Sequence, residues 1–278
     1  MRKLNYRLIV SDFDGTLIND NQQVPRNVRD AIDEYVTNGG IFAVCTGRML
    51  TSILPQVRSL GLKGLVIAYQ GSVIAEIESG RILKTNAIPY FEAAEICREL
   101  EKMNLPVNAY SDGEMYTNIP EGNEYLRTYE RIVRVNAKRA EGKISEFIER
   151  GKKNCQKVLI FASPEQRERL YAEIKSVFGG RFDVTCSASV LIEISPLGDH
   201  KGEAVKFLSE YFKVPMSLTL AAGDNLNDLP MIKAAGTGVA VGNAVKELKE
   251  AADFVSVTNN EGAIAQIIDK YGFVNEND

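Results

Sequence analysis

The most constraining feature of this sequence is a series of short apolar runs without in–out alternation, each ending in a polar turn. Leu8-Ile9-Val10 runs into Ser11-Asp12, and Ile41-Phe42-Ala43-Val44-Cys45 into Thr46-Gly47. Leu65-Val66-Ile67-Ala68 is followed by Tyr69-Gln70-Gly71, and Leu218-Thr219-Leu220-Ala221-Ala222 by Gly223-Asp224. Val239-Ala240-Val241 and Phe254-Val255-Ser256-Val257 complete the series. Strands of this kind are buried on both faces, as in a parallel sheet. Segments with helical spacing lie between them. Residues 26–38 place Val28, Ile32, Tyr35 and Val36 on one face, with Pro25 suiting the start and Gly39-Gly40 the end. A helix is expected over 51–60, where Pro55 fits only if it falls in the first turn. Further helices are expected over 203–213, 229–235 and Val245–Ala252, the last with Asn243 as its N-cap. Residues 73–77 and 81–83 read as a hairpin around Ser79-Gly80. Strand–helix alternation of this kind predicts an α/β fold, a doubly wound, mainly parallel Rossmann-like sheet covered on both faces.

The middle of the chain reads differently. A helix over 90–102 precedes alternating segments at 106–110 and 114–117, joined by a turn at Ser111-Asp112-Gly113. A second helix–strand set covers 144–148, 158–161 and 167–177. The expected organisation is an α/β core made of residues 1–85 and 193–278, split around an inserted α+β unit at 86–192.

Composition narrows the function classes. The 278 residues carry 33 Lys and Arg against 37 Asp and Glu, a net charge of −4, which does not suit a dedicated nucleic-acid binder. No run approaches the roughly 18 apolar residues of a membrane span, and the apolar stretch after Met1-Arg2-Lys3 is too short for a signal sequence. The four cysteines form no C-x-x-C pair, which fits a reducing cytoplasm. A single histidine, His200, rules out a multi-histidine metal centre within one chain. Any metal would therefore be held by carboxylates and carbonyls, the ligands of a hard cation such as Mg²⁺.

The strongest functional signal is Asp12-Phe13-Asp14-Gly15-Thr16, placed directly after the first buried strand. Ligands of open α/β sheets bind at the carboxyl ends of the strands, and two carboxylates stand there. This segment resembles motif I of the haloacid dehalogenase superfamily. The other three motifs of that superfamily have counterparts in the same order. Cys45-Thr46-Gly47-Arg48 resembles motif II, Lys201 motif III, and Gly223-Asp224-Asn225-Leu226-Asn227-Asp228 motif IV. The resemblance covers nearly the whole chain and is nearest to the Cof-type phosphatases, whose type IIB cap lies between motifs II and III. Ile194-Ser195-Pro196-Leu197-Gly198 and Val239-Ala240-Val241-Gly242-Asn243-Ala244 also match that group, whereas Gln70 stands where its members usually carry asparagine.

The resemblance implies a Mg²⁺-dependent phosphatase acting on small phosphorylated metabolites such as sugar phosphates or nucleotide-like cofactors, with no nucleic-acid or membrane partner. Asp12 would attack phosphorus and Asp14 would serve as acid and then base. The metal would be held by the carboxylates of Asp12 and Asp224 and the backbone carbonyl of Asp14, with Asp228 orienting from behind. Phosphoryl oxygens would be received by the Phe13 and Gly47 backbone N–H groups, the Thr46 hydroxyl, Lys201 and Asn227. His200 reads as a capping or surface residue, and Arg48 equally as an ion-pair partner or a ligand. The basic stretch 134–153 reads as a solvated face, and Cys45 as a small core residue. Two other readings stand beside the phosphatase. One is a phosphosugar mutase or phosphotransferase of the same superfamily. The other is a non-enzymatic receiver-like regulator that accepts a phosphoryl group. The substrate, the residues of the inserted unit that would select it, and the oligomeric state are not legible in the sequence.

Overall fold

The computed structural model describes residues 2–274. In chain order the strands are β1 (Leu8–Asp12), β2 (Ile41–Cys45), β3 (Leu65–Ala68), β4 (Val73–Glu76), β5 (Ile82–Thr85), β6 (Val107–Ser111), β7 (Glu114–Thr117), β8 (Lys138–Arg139), β9 (Lys157–Phe161), β10 (Phe182–Ala188), β11 (Leu191–Pro196), β12 (Thr219–Gly223), β13 (Thr237–Ala240) and β14 (Phe254–Val255). The α-helices are α1 (Arg26–Thr37), α2 (Leu50–Ser59), α3 (Tyr90–Lys102), α4 (Glu124–Val133), α5 (Ile144–Gly151), α6 (Pro164–Phe178), α7 (Lys201–Tyr211), α8 (Leu229–Ala234), α9 (Lys246–Ala251) and α10 (Ala263–Ile267). They group into two compact units. One takes the chain up to Gly47, Leu54–Leu83 and the chain from His200 onward. The other takes Arg48–Ile53 and Lys84–Asp199.

The sheet of the first unit has the order β14-β13-β12-β1-β2-β3-β4-β5. From β14 to β3 every neighbouring pair is parallel, and β3 with β4 is antiparallel. Parallel neighbours cannot be joined by tight turns, so the chain crosses over through helices. The hydrophobic runs explain which strands lie inside. All five residues of β1 are buried, with Leu8 opposite Thr219 on one side and Ile41 on the other. Leu8 and Val10 share a core with Ala43 of β2, Ala221 of β12 and Ala204, Val205 and Leu208 of α7. Each such Leu or Val side chain contributes about 1.5–3 kcal/mol on full burial, enough to fix the register of a five-residue strand. The result is a mainly parallel α/β core in which Asp12, Cys45 and Gly223 end three adjacent strands along one edge.

The second unit is built on a sheet of order β10-β11-β9-β6-β7-β8, antiparallel except for β7 with β8. Ala93, Ile96, Cys97 and Leu100 of α3, Ile144 and Ile148 of α5, and Leu170 and Ile174 of α6 pack against Val107, Ala109, Val158 and Ile160 of the sheet.

Several local expectations need correction. Asn243 is not the cap of α9; Val245 takes that place, and the asparagine side chain is used elsewhere. Pro55 is the sixth residue of α2 and not in its first turn. The helix persists there without the N–H that would have reached the Thr51 carbonyl. The last strand stops at Val255. The sequence reading also passed over α4 and the β10–β11 hairpin. Only Leu126 and Val133 of α4 are buried, so the helix carries little apolar signal.

Candidate active site

The edge where β1, β2 and β12 end gathers residues from four distant parts of the chain. Asp12 closes β1 and is 6% exposed. The following loop, Phe13–Leu17, turns at Gly15 with φ +76°. A side chain at that position would be strained, and its Cβ would lie 2.8 Å from Asp224 Oδ2. Glycine thus lets the loop press directly on the Asp224 carboxylate. Thr16 Oγ1 donates to Asp224 Oδ1 at 3.0 Å, which adds a second hold.

Lys201, the first residue of α7, is fully buried. Its ammonium donates to Asp12 Oδ1, to Asp228 Oδ1 at 2.6 Å and to the Cys45 carbonyl at 3.3 Å. All three ammonium protons therefore have acceptors, which is what a charge this deep requires. Burial pushes the lysine pKa down, but Asp12 and Asp228 outweigh it and hold the pKa well above its ordinary value. Asp228 is also fully buried, and its Oδ2 accepts from the backbone N–H groups of Asp224 at 2.9 Å and Asn225 at 3.0 Å. Both Asp228 oxygens are thus committed to the protein. Asp228 ties α7 to the turn after β12.

Asp12, Asp224 and Asp228 each offer a carboxylate oxygen within 4.8 Å of the others. Burial raises the Asp12 pKa well above its usual range; Lys201 opposes this, and the neighbouring carboxylates add to it. Asp224 is pushed up to about 6, by burial first and by the Asp228 charge second. Two buried carboxylates and the half-buried Asp224 against one ammonium leave two negative charges in excess when all three are ionised. An all-oxygen site with this excess charge fits a hard divalent cation.

The remaining expected residues are placed as follows. The Phe13 side chain is buried and its carbonyl accepts from Ile18 N at 3.1 Å. Asp14 stands half-buried in the loop two residues after Asp12. Thr46 is buried beyond β2, its N–H bonded to Ile67 O at 2.9 Å and its carbonyl to Gln70 N at 3.0 Å. Gly47 follows, so close to Gln70 that an added Cβ would sit 2.5 Å from the Gln70 amide nitrogen. Asn227 donates through Nδ2 to Gln70 Oε1 at 3.3 Å. His200 is the N-cap of α7, its Nδ1 accepting from Glu203 N at 3.4 Å. Arg48 is buried and belongs to the second unit. Cys45 is buried, its thiol pushed up to about 12 mainly by burial, and only its carbonyl serves the site.

Two asparagines that the sequence reading did not place in the site brace the loop. Asn243 Nδ2 donates to the Gly15 carbonyl at 2.8 Å, and its Oδ1 accepts from Asn259 N at 2.9 Å. The buried Asn259 donates through Nδ2 to the Ile18 carbonyl at 3.0 Å and to Asp20 Oδ1 at 3.2 Å. Together they strap the middle and the far end of the loop that carries Asp14. For Asn243 the sequence carries two signals, the match of Gly242-Asn243-Ala244 to the Cof group and a local context that suits a helix cap, and the structure follows the first.

Comparison with known proteins bears on this arrangement. The family model of haloacid dehalogenase-like hydrolases matches residues 9–268. Phosphatase YwpJ of Bacillus subtilis is 29% identical over 285 residues, spanning 94% of this chain and 98% of the relative. The 5-amino-6-(5-phospho-D-ribitylamino)uracil phosphatase YcsE of the same organism is 29% identical over 269 residues, 95% of each chain. A solved haloacid dehalogenase-like hydrolase from B. subtilis superposes with a TM-score of 0.85 at 28% identity, covering 95% of this chain and 99% of that one. Among the described residues, no helix is long and apolar enough to cross a membrane.

Proposed function

We propose that this chain, which belongs to the haloacid dehalogenase-like hydrolase family, is a Mg²⁺-dependent phosphatase that cleaves small phosphate monoesters through a phosphorylated Asp12. The observation that carries the reading is the Asp12 carboxylate, held by Lys201 at the end of the central strand beside Asp224. Lys201 grips Oδ1 and so turns the carboxylate to present its other oxygen. That oxygen attacks phosphorus as the ester bond breaks. Asp14 gives its proton to the departing alkoxide, which leaves as the alcohol. In the second half Asp14 takes a proton from water, and the resulting hydroxide attacks the phosphorus of the aspartyl phosphate. Inorganic phosphate leaves and the Asp12 carboxylate is restored.

The side chains of Asp12 and Asp224 and the Asp14 carbonyl would hold Mg²⁺, which offsets the charge of the phosphate dianion against the anionic nucleophile. Asp228, both of its oxygens already bonded, holds Lys201 and the turn that presents Asp224. The Thr46 hydroxyl, Lys201, Asn227 and the N–H groups of Phe13 and Gly47 would receive the phosphoryl oxygens. We assign the inserted unit, expected at 86–192 and extending to Asp199 so that β11 is whole, as the cap that selects the alcohol. A small phosphorylated substrate is supported by the similarity to YcsE, named for its action on a phosphoribitylamino-uracil.

Asp12→Asn should abolish release of nitrophenol from p-nitrophenyl phosphate while the protein stays folded. EDTA should stop the wild type and added Mg²⁺ restore it. Full turnover by the variant, or undiminished rates under chelation, would remove the basis of the assignment.

A further inference from the structure

We propose that Gln70 is a positioning residue for the phosphoryl group, setting the Asn227 side chain and the Thr46–Gly47 loop against each other. The proposal rests on the phosphatase reading above.

The turn that carries Gln70 is strained. Tyr69, Gln70 and Gly71 have φ of +51°, +61° and +131° in succession. Left-handed backbone costs a residue with a side chain about 1–2 kcal/mol, and such conformations persist where the surroundings over-determine them. Three segments impose this one. Gln70 N donates to the Thr46 carbonyl at 3.0 Å. The glutamine amide bridges two further points: Oε1 accepts from Asn227 Nδ2 at 3.3 Å, and Nε2 rests where a Cβ on Gly47 would be only 2.5 Å away. At Gly71 a Cβ would lie 2.9 Å from the His200 carbonyl, just before Lys201. One buried turn therefore touches the Thr46–Gly47 loop, the start of α7 and Asn227. These are the segments assigned to hold the phosphoryl oxygens.

The length of the side chain matters. Asparagine tolerates left-handed backbone better than glutamine but is one methylene shorter, about 1.5 Å. Substituting it relieves the backbone while withdrawing the amide from Asn227, from Gly47, or from both. Stability and function should therefore move in opposite directions, which a residue that merely fills space would not produce. With its bond to Gln70 intact, the Asn227 amide is held in one orientation and spends one of its protons on the protein. Without that bond the side chain rotates freely, and orienting it must be done at the expense of substrate affinity.

The test compares the wild type with Gln70→Asn, Asn227→Ala and the double variant. Melting is followed by calorimetry, kcat/KM is measured on p-nitrophenyl phosphate, and affinity is measured for orthovanadate, a mimic of the transferring phosphoryl group. Gln70→Asn should melt at or above the wild-type temperature. It should lose about tenfold in kcat/KM and in vanadate affinity together. The double variant should be within twofold of Asn227→Ala alone, because the glutamine acts through the asparagine. Single-variant values within twofold of wild type, a melting temperature that falls along with activity, or losses that multiply in the double variant would each overturn the proposal. Wild-type protein that binds vanadate but turns over no phosphate ester would instead refute the phosphatase reading, leaving the vanadate comparison to judge Gln70 separately.

Discussion

Replacing Gly15 by alanine separates backbone strain from damage to the site. The substitution has two costs that can be worked out from the structure. The first is conformational: φ is +76°, and an L-residue there loses about 1–2 kcal/mol. For a chain of this size that corresponds to a fall in melting temperature of roughly 2–8 °C. The second is steric. The new Cβ would sit 2.8 Å from Asp224 Oδ2, whereas ordinary contact begins near 3.4 Å. The Asp224 carboxylate must therefore retreat by about 0.6 Å, against the hold of Thr16 Oγ1 on its other oxygen. Displacements approaching 1 Å at a reacting centre can cost about 10²-fold in rate, so a loss of ten- to a hundredfold in kcat/KM is expected. Gly61 supplies the control. Its φ is +73°, yet an added Cβ there meets nothing within 4 Å. Gly61→Ala should melt lower by a similar amount and keep its activity. The assay is scanning calorimetry beside initial rates on p-nitrophenyl phosphate. If Gly15→Ala and Gly61→Ala retain equal activity, Asp224 is not held where the chemistry needs it, and the reasoning fails.

Asp14→Asn should lower kcat by about 10²–10⁴-fold on alkyl phosphates and less on aryl phosphates, whose leaving groups need no proton. An equal loss across a leaving-group series would reject the acid role. Asn259→Ala removes the donor to the Ile18 carbonyl and should destabilise the protein by about 1–3 kcal/mol. It should also cost about ten- to a hundredfold in activity by freeing the loop at 13–18. Amide exchange at those residues should quicken; unchanged exchange together with reduced activity would place the effect elsewhere.

The legible part of the protein was the part written in short-range pattern. β1, β2, β3 and β12 are continuous apolar runs in which both faces carry the same signal, so their strands and the parallel sheet could be read directly. The superfamily resemblance named Asp12, Lys201, Asp224 and Asp228, and these do meet in one cluster. The superfamily resemblance holds across the chain. What escaped were partnerships made only by tertiary approach. Asn243 sits one turn before a helix, and its local context suits a cap, yet its amide is drawn away by Gly15, far off in sequence. Gln70 looked like a weakened match to an asparagine, while its extra methylene is what carries the amide to Asn227. Helix α4 shows few apolar residues because it buries only two, so periodicity had little to register.

The register of β1, with Leu8 lying between Ile41 and Thr219, has a consequence for biosynthesis. The strand that ends in Asp12 is made well before one of its two flanking strands, before Asp224 and before its lysine partner, which lies 189 residues further along. The Asp12 cluster therefore cannot assemble before β12 and the turn that carries Asp224 and Asp228 have been made. Until then one edge of Leu8-Ile9-Val10 lacks its neighbour. Pairing over such separations is slow, which leaves this hydrophobic edge open to wrong pairing while the chain folds.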